Sequence, residues 1–174
     1  MVAPILGRSR RHGLDYHRHV QSSCDERHHV WPLFLRAHAV LVETLDAELQ
    51  AKHGLPLSWF DVLVHLAGAP QGRMRMNELG EAVLLSRSGT TRLVDRMERA
   101  GLLTRSASPS DRRVVFAALT RRGRAAFTSA APLAVRGVSE HFSRHLTRSE
   151  EKALSTAFTK IIIAVEHHRN RRAG

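Results

Sequence analysis

Between Ser86 and Arg124 the chain carries ten arginines (87, 92, 96, 99, 105, 112, 113, 121, 122 and 124) against three acids, Asp95, Glu98 and Asp111. Guanidinium groups are planar forks of N–H donors that match phosphate oxygens and the major-groove edge of guanine. Ser86, Ser88, Thr90 and Thr91 stand among the first of these arginines. Short hydroxyl side chains at the start of a helix add donors where unpaired backbone N–H groups already favour phosphate. The chemistry on offer is therefore anion recognition, with a nucleic acid as the natural polyanion. Candidate contacts are Ser86, Arg87, Ser88, Thr90, Thr91, Arg92 and Arg96 on a helix, and Asp111, Arg112 and Arg113 at a turn.

The flanking pattern supplies elements to hold these residues. Ser86 reads as the cap of a helix that stops at Gly101, with Leu93, Val94 and Met97 on its inner face. Asp95 and Arg99 stand four apart, a spacing that suits a surface ion pair. A short helix from about Asn77 to Val83, capped by Asn77, precedes it across the tight turn Leu84-Leu85. Leu102 to Arg105 and Val114 to Leu119 read as two strands, joined by the turn signal Ala107-Ser-Pro-Ser-Asp111. Asp111 is expected to fix that turn by bridging to a neighbouring arginine. The order helix, turn, helix, hairpin sets a rod fit for a major groove beside a finger fit for a minor groove. Any helical hairpin followed by a charged turn gives the same local pattern, but the adjacency of the two favours the DNA reading.

Further out, apolar spacing predicts a helix from about Trp31 to Lys52, stopped by Gly54. Ser58 with Asp61 reads as the cap of the next helix, and Thr120 as the cap of one running to about His145, bent near Pro132. Thr147 with Glu150 forms a capping box for a last helix with a stripe of Leu154, Phe158, Ile161, Ile162 and Val165. The first of these helices and the last two show more apolar surface than a small DNA-binding lobe covers, which argues for self-association. The expected fold is mainly α with a small β-hairpin. Residues 1–30 read as a poorly ordered or partly helical arm and 169–174 as a basic tail.

The chain has 174 residues, a formal net charge of +11 and 43% apolar residues, enough for one domain with a core. Arginine is used almost throughout in place of lysine, so its clustering carries more meaning than its identity. No run approaches the roughly 20 apolar residues that span a bilayer. Residues 1–30 lack the compact apolar stretch of a secretory signal, and the single cysteine, Cys24, suits a reducing compartment. A cytoplasmic protein is expected.

Asp111-x-Arg113, five residues, then Leu119-Thr120 resembles the wing signature of the MarR family of bacterial transcription regulators. Leu55 to Leu63, Arg75 to Val83 and Leu85 to Leu102 resemble that family's second helix, first DNA-binding helix and recognition helix. The likeness covers about residues 31–168. It implies a winged helix-turn-helix, with a DNA-binding lobe at about 56–120 and dimerisation helices at about 31–53 and 121–168. It further implies a homodimer on a palindromic duplex operator, a repressor released by a small ligand or by oxidation.

A sensing site is less sharply marked. Arg36 and His38 on the first helix, with Trp59, Asp61 and His65 on the second, suit a cleft for an aromatic or phenolic carboxylate; ordinary core and surface roles suit them too. Cys24 is a candidate redox sensor, but stands several residues ahead of the first helix. Twelve histidines include the i,i+4 pair His141 and His145, yet no acid or thiol falls at a supporting metal-ligand spacing. No metal or cofactor is expected. Nucleophile elbow, phosphate-binding loop, dinucleotide fingerprint and metalloprotease motif are all missing from the sequence, so an enzyme is not expected. The competing readings are an architectural DNA-coating protein with little sequence choice, and a redox- or metal-responsive member of the same family.

Overall fold

The structure, a computed structural model, describes residues 29–108, 111 and 113–173. Helix α1 spans Val30–His53 and ends where Gly54 turns left-handed, φ 60°. Helix α2 spans Leu57–Gly68 and buries Phe60, Val62, Leu63 and Leu66. Its expected cap is corrected: Ser58 lies inside the helix, Pro56 precedes it, and no side chain of its own caps it. The Leu57 N–H instead donates to Asp46 Oδ1 of α1 at 2.7 Å. A carboxylate from another helix thus satisfies a first-turn donor.

A short 3-10 turn, Pro70–Gly72, leads into a strand that the sequence did not announce, β1 (Arg73–Arg75). Hairpin strands β2 (Leu103–Ala107) and β3 (Val115–Leu119) complete a sheet of order β1-β3-β2, antiparallel throughout. Central Ala117 faces Met74 on one side and Arg105 on the other. Two strands alone are marginal in water; a third strand with an apolar face makes a stable unit.

Helix α3 (Met76–Ala82) begins one residue before the expected Asn77 cap, after Arg75, whose N–H donates to Glu78 Oε2 at 3.2 Å. Helix α4 (Arg87–Arg99) is capped as expected, the Gly89 N–H donating to Ser86 Oγ at 3.2 Å. Between them the Leu84 N–H donates to Glu81 O at 3.2 Å and the Leu85 N–H to Gly80 O at 3.0 Å. That bond pattern closes α3 as a Schellman motif and puts its left-handed residue at Leu84, φ 55°. A side chain there costs roughly 1–2 kcal/mol that glycine avoids. The two helices approach closely: a Cβ on Gly80 would lie 2.8 Å from Thr90 Oγ1. Buried Leu63, Leu66, Leu79, Leu93, Val94, Met97 and Leu103 draw α2, α3, α4 and the sheet into one core. The lobe is a winged helix-turn-helix.

Thr120 caps α5 (Arg121–His141), its Oγ1 accepting from the Gly123 N–H at 2.9 Å and lying 2.7 Å from the Gly101 carbonyl oxygen. α5 continues through Pro132 and stops at His141, short of the expected end, with a 3-10 turn following at Ser143–His145. The chain clusters into two compact units, to Pro132 and from Leu133. In the second, α6 (Arg148–Ala173) starts at the expected box, the Thr147 N–H donating to Glu150 Oε2 at 2.7 Å. It runs on through the stretch expected as a tail.

Gly123 is buried, and a Cβ there would overlap the Leu102 carbonyl oxygen, a backbone atom with no freedom to rotate away. Gly123→Ala is expected to cost about 3 kcal/mol in urea unfolding. Gly68→Ala, whose Cβ meets nothing within 4 Å, should leave the midpoint unchanged or slightly raised.

Candidate nucleic-acid interface

Helix α4 sorts its residues by face. Thr90, Leu93, Val94 and Met97 are buried, while Arg87, Ser88, Thr91, Arg92, Arg96 and Arg99 are exposed. Thr90 is therefore corrected from contact to core: it is 2% exposed, and its Oγ1 donates to Ser86 O at 3.0 Å. Ser86 and Ser88 hydroxyls lie 3.3 Å apart at the exposed helix start. The Thr91 hydroxyl donates to Arg87 O at 2.9 Å, leaving its oxygen as an acceptor.

At the wing, Asp111 Oδ1 accepts from the Arg113 N–H at 2.9 Å, and Asp111 O accepts from the Val114 N–H at 2.9 Å. Asp111 thus shapes the turn through the Arg113 backbone N–H, and Arg113 stays exposed. Arg112 and Cys24 lie outside the described residues. An open groove of about 630 Å³ brings Arg87 and Thr91 of α4 together with Arg113 of the wing. Arg75, ahead of α3, lines it too. Its place beside a helix start was the available signal, though it was not among the expected contacts.

Arg105, one of the ten arginines of the segment, has a structural role. Its guanidinium lies 2.6 Å from Asp95 Oδ1 and 2.7 Å from Glu98 Oε2, and its backbone N–H donates to Glu98 Oε1 at 2.8 Å. One residue of β2 is thus fastened to α4 by charge-assisted bonds to two acids one turn apart. The expected Asp95–Arg99 ion pair gives way to it; the Arg99 Nε–H donates to the Asp95 backbone carbonyl at 3.3 Å. The Arg105 backbone N–H and guanidinium hold the Glu98 carboxyl below the ordinary glutamate range.

Of the sensing candidates, the structure pairs Asp61 with His65, 3.6 Å apart on α2. Burial raises the Asp61 carboxyl above its ordinary value, and His65 partly offsets this. Trp59 is half-buried on the same helix, and Arg36 and His38 are exposed on α1, the His38 ring 6.3 Å from that of Phe34. None of the five lines the groove between α4 and the wing. Among the described residues no group of three or more His, Cys, Asp or Glu is placed to hold a metal ion. No helix among them is long and apolar enough to cross a membrane.

The lowered Glu98 value fixes a sign. A depressed carboxylate contributes stability that is present above the ordinary glutamate range and lost as pH falls through its folded value. Glu98→Gln is expected to cost on the order of 1 kcal/mol at pH 7, since these side chains are about one-third exposed. Denaturant titrations in a pH series should show the gap between wild type and variant closing as pH falls below the glutamate range; a pH-independent gap would place the contribution elsewhere.

Comparison with known proteins agrees with this geometry. The MarR family model matches residues 53–114. MhqR, an HTH-type transcriptional regulator of Bacillus subtilis, is 42% identical over 72 residues, 41% of this chain and 48% of MhqR. The match thus spans about half of that relative's length. AbsC, a MarR family transcriptional regulator from Streptomyces coelicolor, superposes with a TM-score of 0.78 at 31% identity, over 83% of this chain and 97% of AbsC. Sco3205, a MarR family regulator of the same organism solved in complex with DNA, gives 0.74 at 33% identity, over 76% of this chain and 83% of Sco3205.

Proposed function

The chain belongs to the MarR family of DNA-binding transcription regulators, and from that premise we propose that it is a cytoplasmic homodimer that binds a palindromic operator and represses transcription until a small ligand releases it. Its relatives are regulators rather than enzymes. The observation that carries the operator reading is the groove shared by α4 and the wing, where Arg87, Thr91 and Arg113 converge. In this reading α4 enters the major groove by its N-terminal end. Ser86 and Ser88 hold phosphate, Arg87, Thr91, Arg92 and Arg96 face phosphates and base edges, and Asp111 sets the turn that carries Arg112 and Arg113 to the minor groove.

The dimer reading rests on apolar surface. In the first unit α1 exposes Trp31, Leu33, Leu35, Val40 and Val42; in the second α6 exposes Ile161, Ile162, Ile163 and Val165. Side chains of this size bury with a gain of about 1.5–3 kcal/mol each, so bare stripes favour a second copy. A twofold partner sets two recognition helices about 34 Å apart, one turn of duplex. The release reading rests on the half-buried Asp61 and its pairing with His65 on α2. With Trp59, Arg36 and His38, the pair suits an aromatic or phenolic acid.

Arg113→Ala is expected to weaken binding to a duplex from the promoter beside the protein's own gene by about tenfold, with unfolding unchanged. Wild-type affinity should fall steeply with salt, the logarithm of the association constant losing roughly 0.9 per phosphate neutralised. An unaltered Arg113→Ala titration would remove the wing from the interface, and a flat salt response would remove DNA as the partner. Ile162→Glu should shift sedimentation from dimer toward monomer while leaving helical content intact; an unchanged sedimentation coefficient would count against α6 as the seam.

A further inference from the structure

Leu84 is a side chain that the stability of the fold does not explain. It holds the left-handed position of the Schellman turn, φ 55°, where glycine or asparagine is favoured. It is also 89% exposed, the highest exposure among the large apolar residues that lie uncovered. A leucine there strains the backbone and gains nothing from burial. Its neighbour behaves differently: Leu85 lines the groove, and its side chain would touch a Cβ on Gly89. Strain retained where packing gives no return marks positions held for function.

The position suggests which function. Leu84 stands two residues before Ser86, the cap of α4, and Arg87 and Ser88 open that helix. Helix-turn-helix proteins bring this end of the second helix to base edges. Arginines there attract phosphate and guanine, but they do not select a pyrimidine. In the major groove thymine alone presents a methyl group, and apolar side chains take part in base readout by contacting it.

Resting on the operator reading above, we propose that Leu84 selects a thymine in each operator half-site through contact with the thymine 5-methyl group. The test uses the full chain. Wild type, Leu84→Ala and Leu84→Gly each select duplexes from a random-sequence pool, and each thymine of the enriched wild-type duplex is then replaced singly by uracil, which removes only the methyl. At one thymine per half-site uracil should weaken wild-type binding about fourfold, the worth of one buried methyl. The same replacement should cost the two variants nothing. Leu84→Gly, freed of the left-handed penalty, should melt no lower than wild type, which separates lost recognition from lost folding.

Uracil tolerated at every thymine, or equal uracil losses in wild type and variants, would overturn the inference while leaving the operator reading intact. A general weakening of the variants on all duplexes would likewise assign Leu84 to the sugar-phosphate backbone and overturn it. No enriched duplex from any of the three would sink the operator reading and the inference together.

Discussion

The attachment of Arg105 to Asp95 and Glu98 is the constraint on which the arrangement rests. Pairing of β3 with β1 anchors one side of the wing, and Arg105 anchors the other strand, β2, to α4. With Arg105 held by two acids one helical turn apart, the hairpin has a fixed bearing on α4. Screening weakens single exposed ion pairs, but a guanidinium shared between two carboxylates, with a backbone N–H added, keeps its geometry better than any one pair. The same contact has an electrostatic consequence. Segment 86–124 has three acids; two face Arg105 and the third, Asp111, takes the Arg113 N–H. The acids are spent on internal geometry, which leaves the outer face of α4 and the wing positive.

Close approach provides the second constraint. Gly80 admits Thr90, and Gly123 admits the Leu102 carbonyl oxygen. One contact sets α3 against α4, the other sets the start of α5 against the end of the α4 turn. Thr120, bonded at both the Gly101 side and the Gly123 side, ties that second crossing to β3. A threonine closing the wing signature is thus a structural joint as well as a helix cap.

Features written over short spans were legible in the sequence. Ser86, Thr120 and Thr147 cap the helices expected of them, because each cap is a contact over three residues. The return strand of the hairpin was legible from its valine and phenylalanine content. Misreadings arose where a distant group competed, where a nearer one took the place, or where an element was too short to show a period. Ser58 and Asp61 have cap spacing, but Asp46, eleven residues before Leu57, supplies the acceptor. Asn77 lost its capping place because Glu78 reaches back to the Arg75 N–H. β1, three residues long, is too short for alternation to register. The Thr90 hydroxyl invites a contact role, but its spacing to Leu93, Val94 and Met97 puts it on the inner face. Arg105 finds partners seven and ten residues back across a turn, a relation that periodicity does not encode.

Asp46 bears on how divisible the molecule is. The boundary that looks natural from sequence lies at Gly54 and Leu55, between a long helix and the DNA-binding lobe. Yet the acceptor for the first N–H of α2 belongs to α1, and Leu49, 1% exposed, lies one turn beyond it. A fragment beginning at Leu55 would start with a frayed helix and an open hole in its interior. The lobe is consequently not a detachable module, and its first helix is as much a part of its scaffold as of any seam with a second copy.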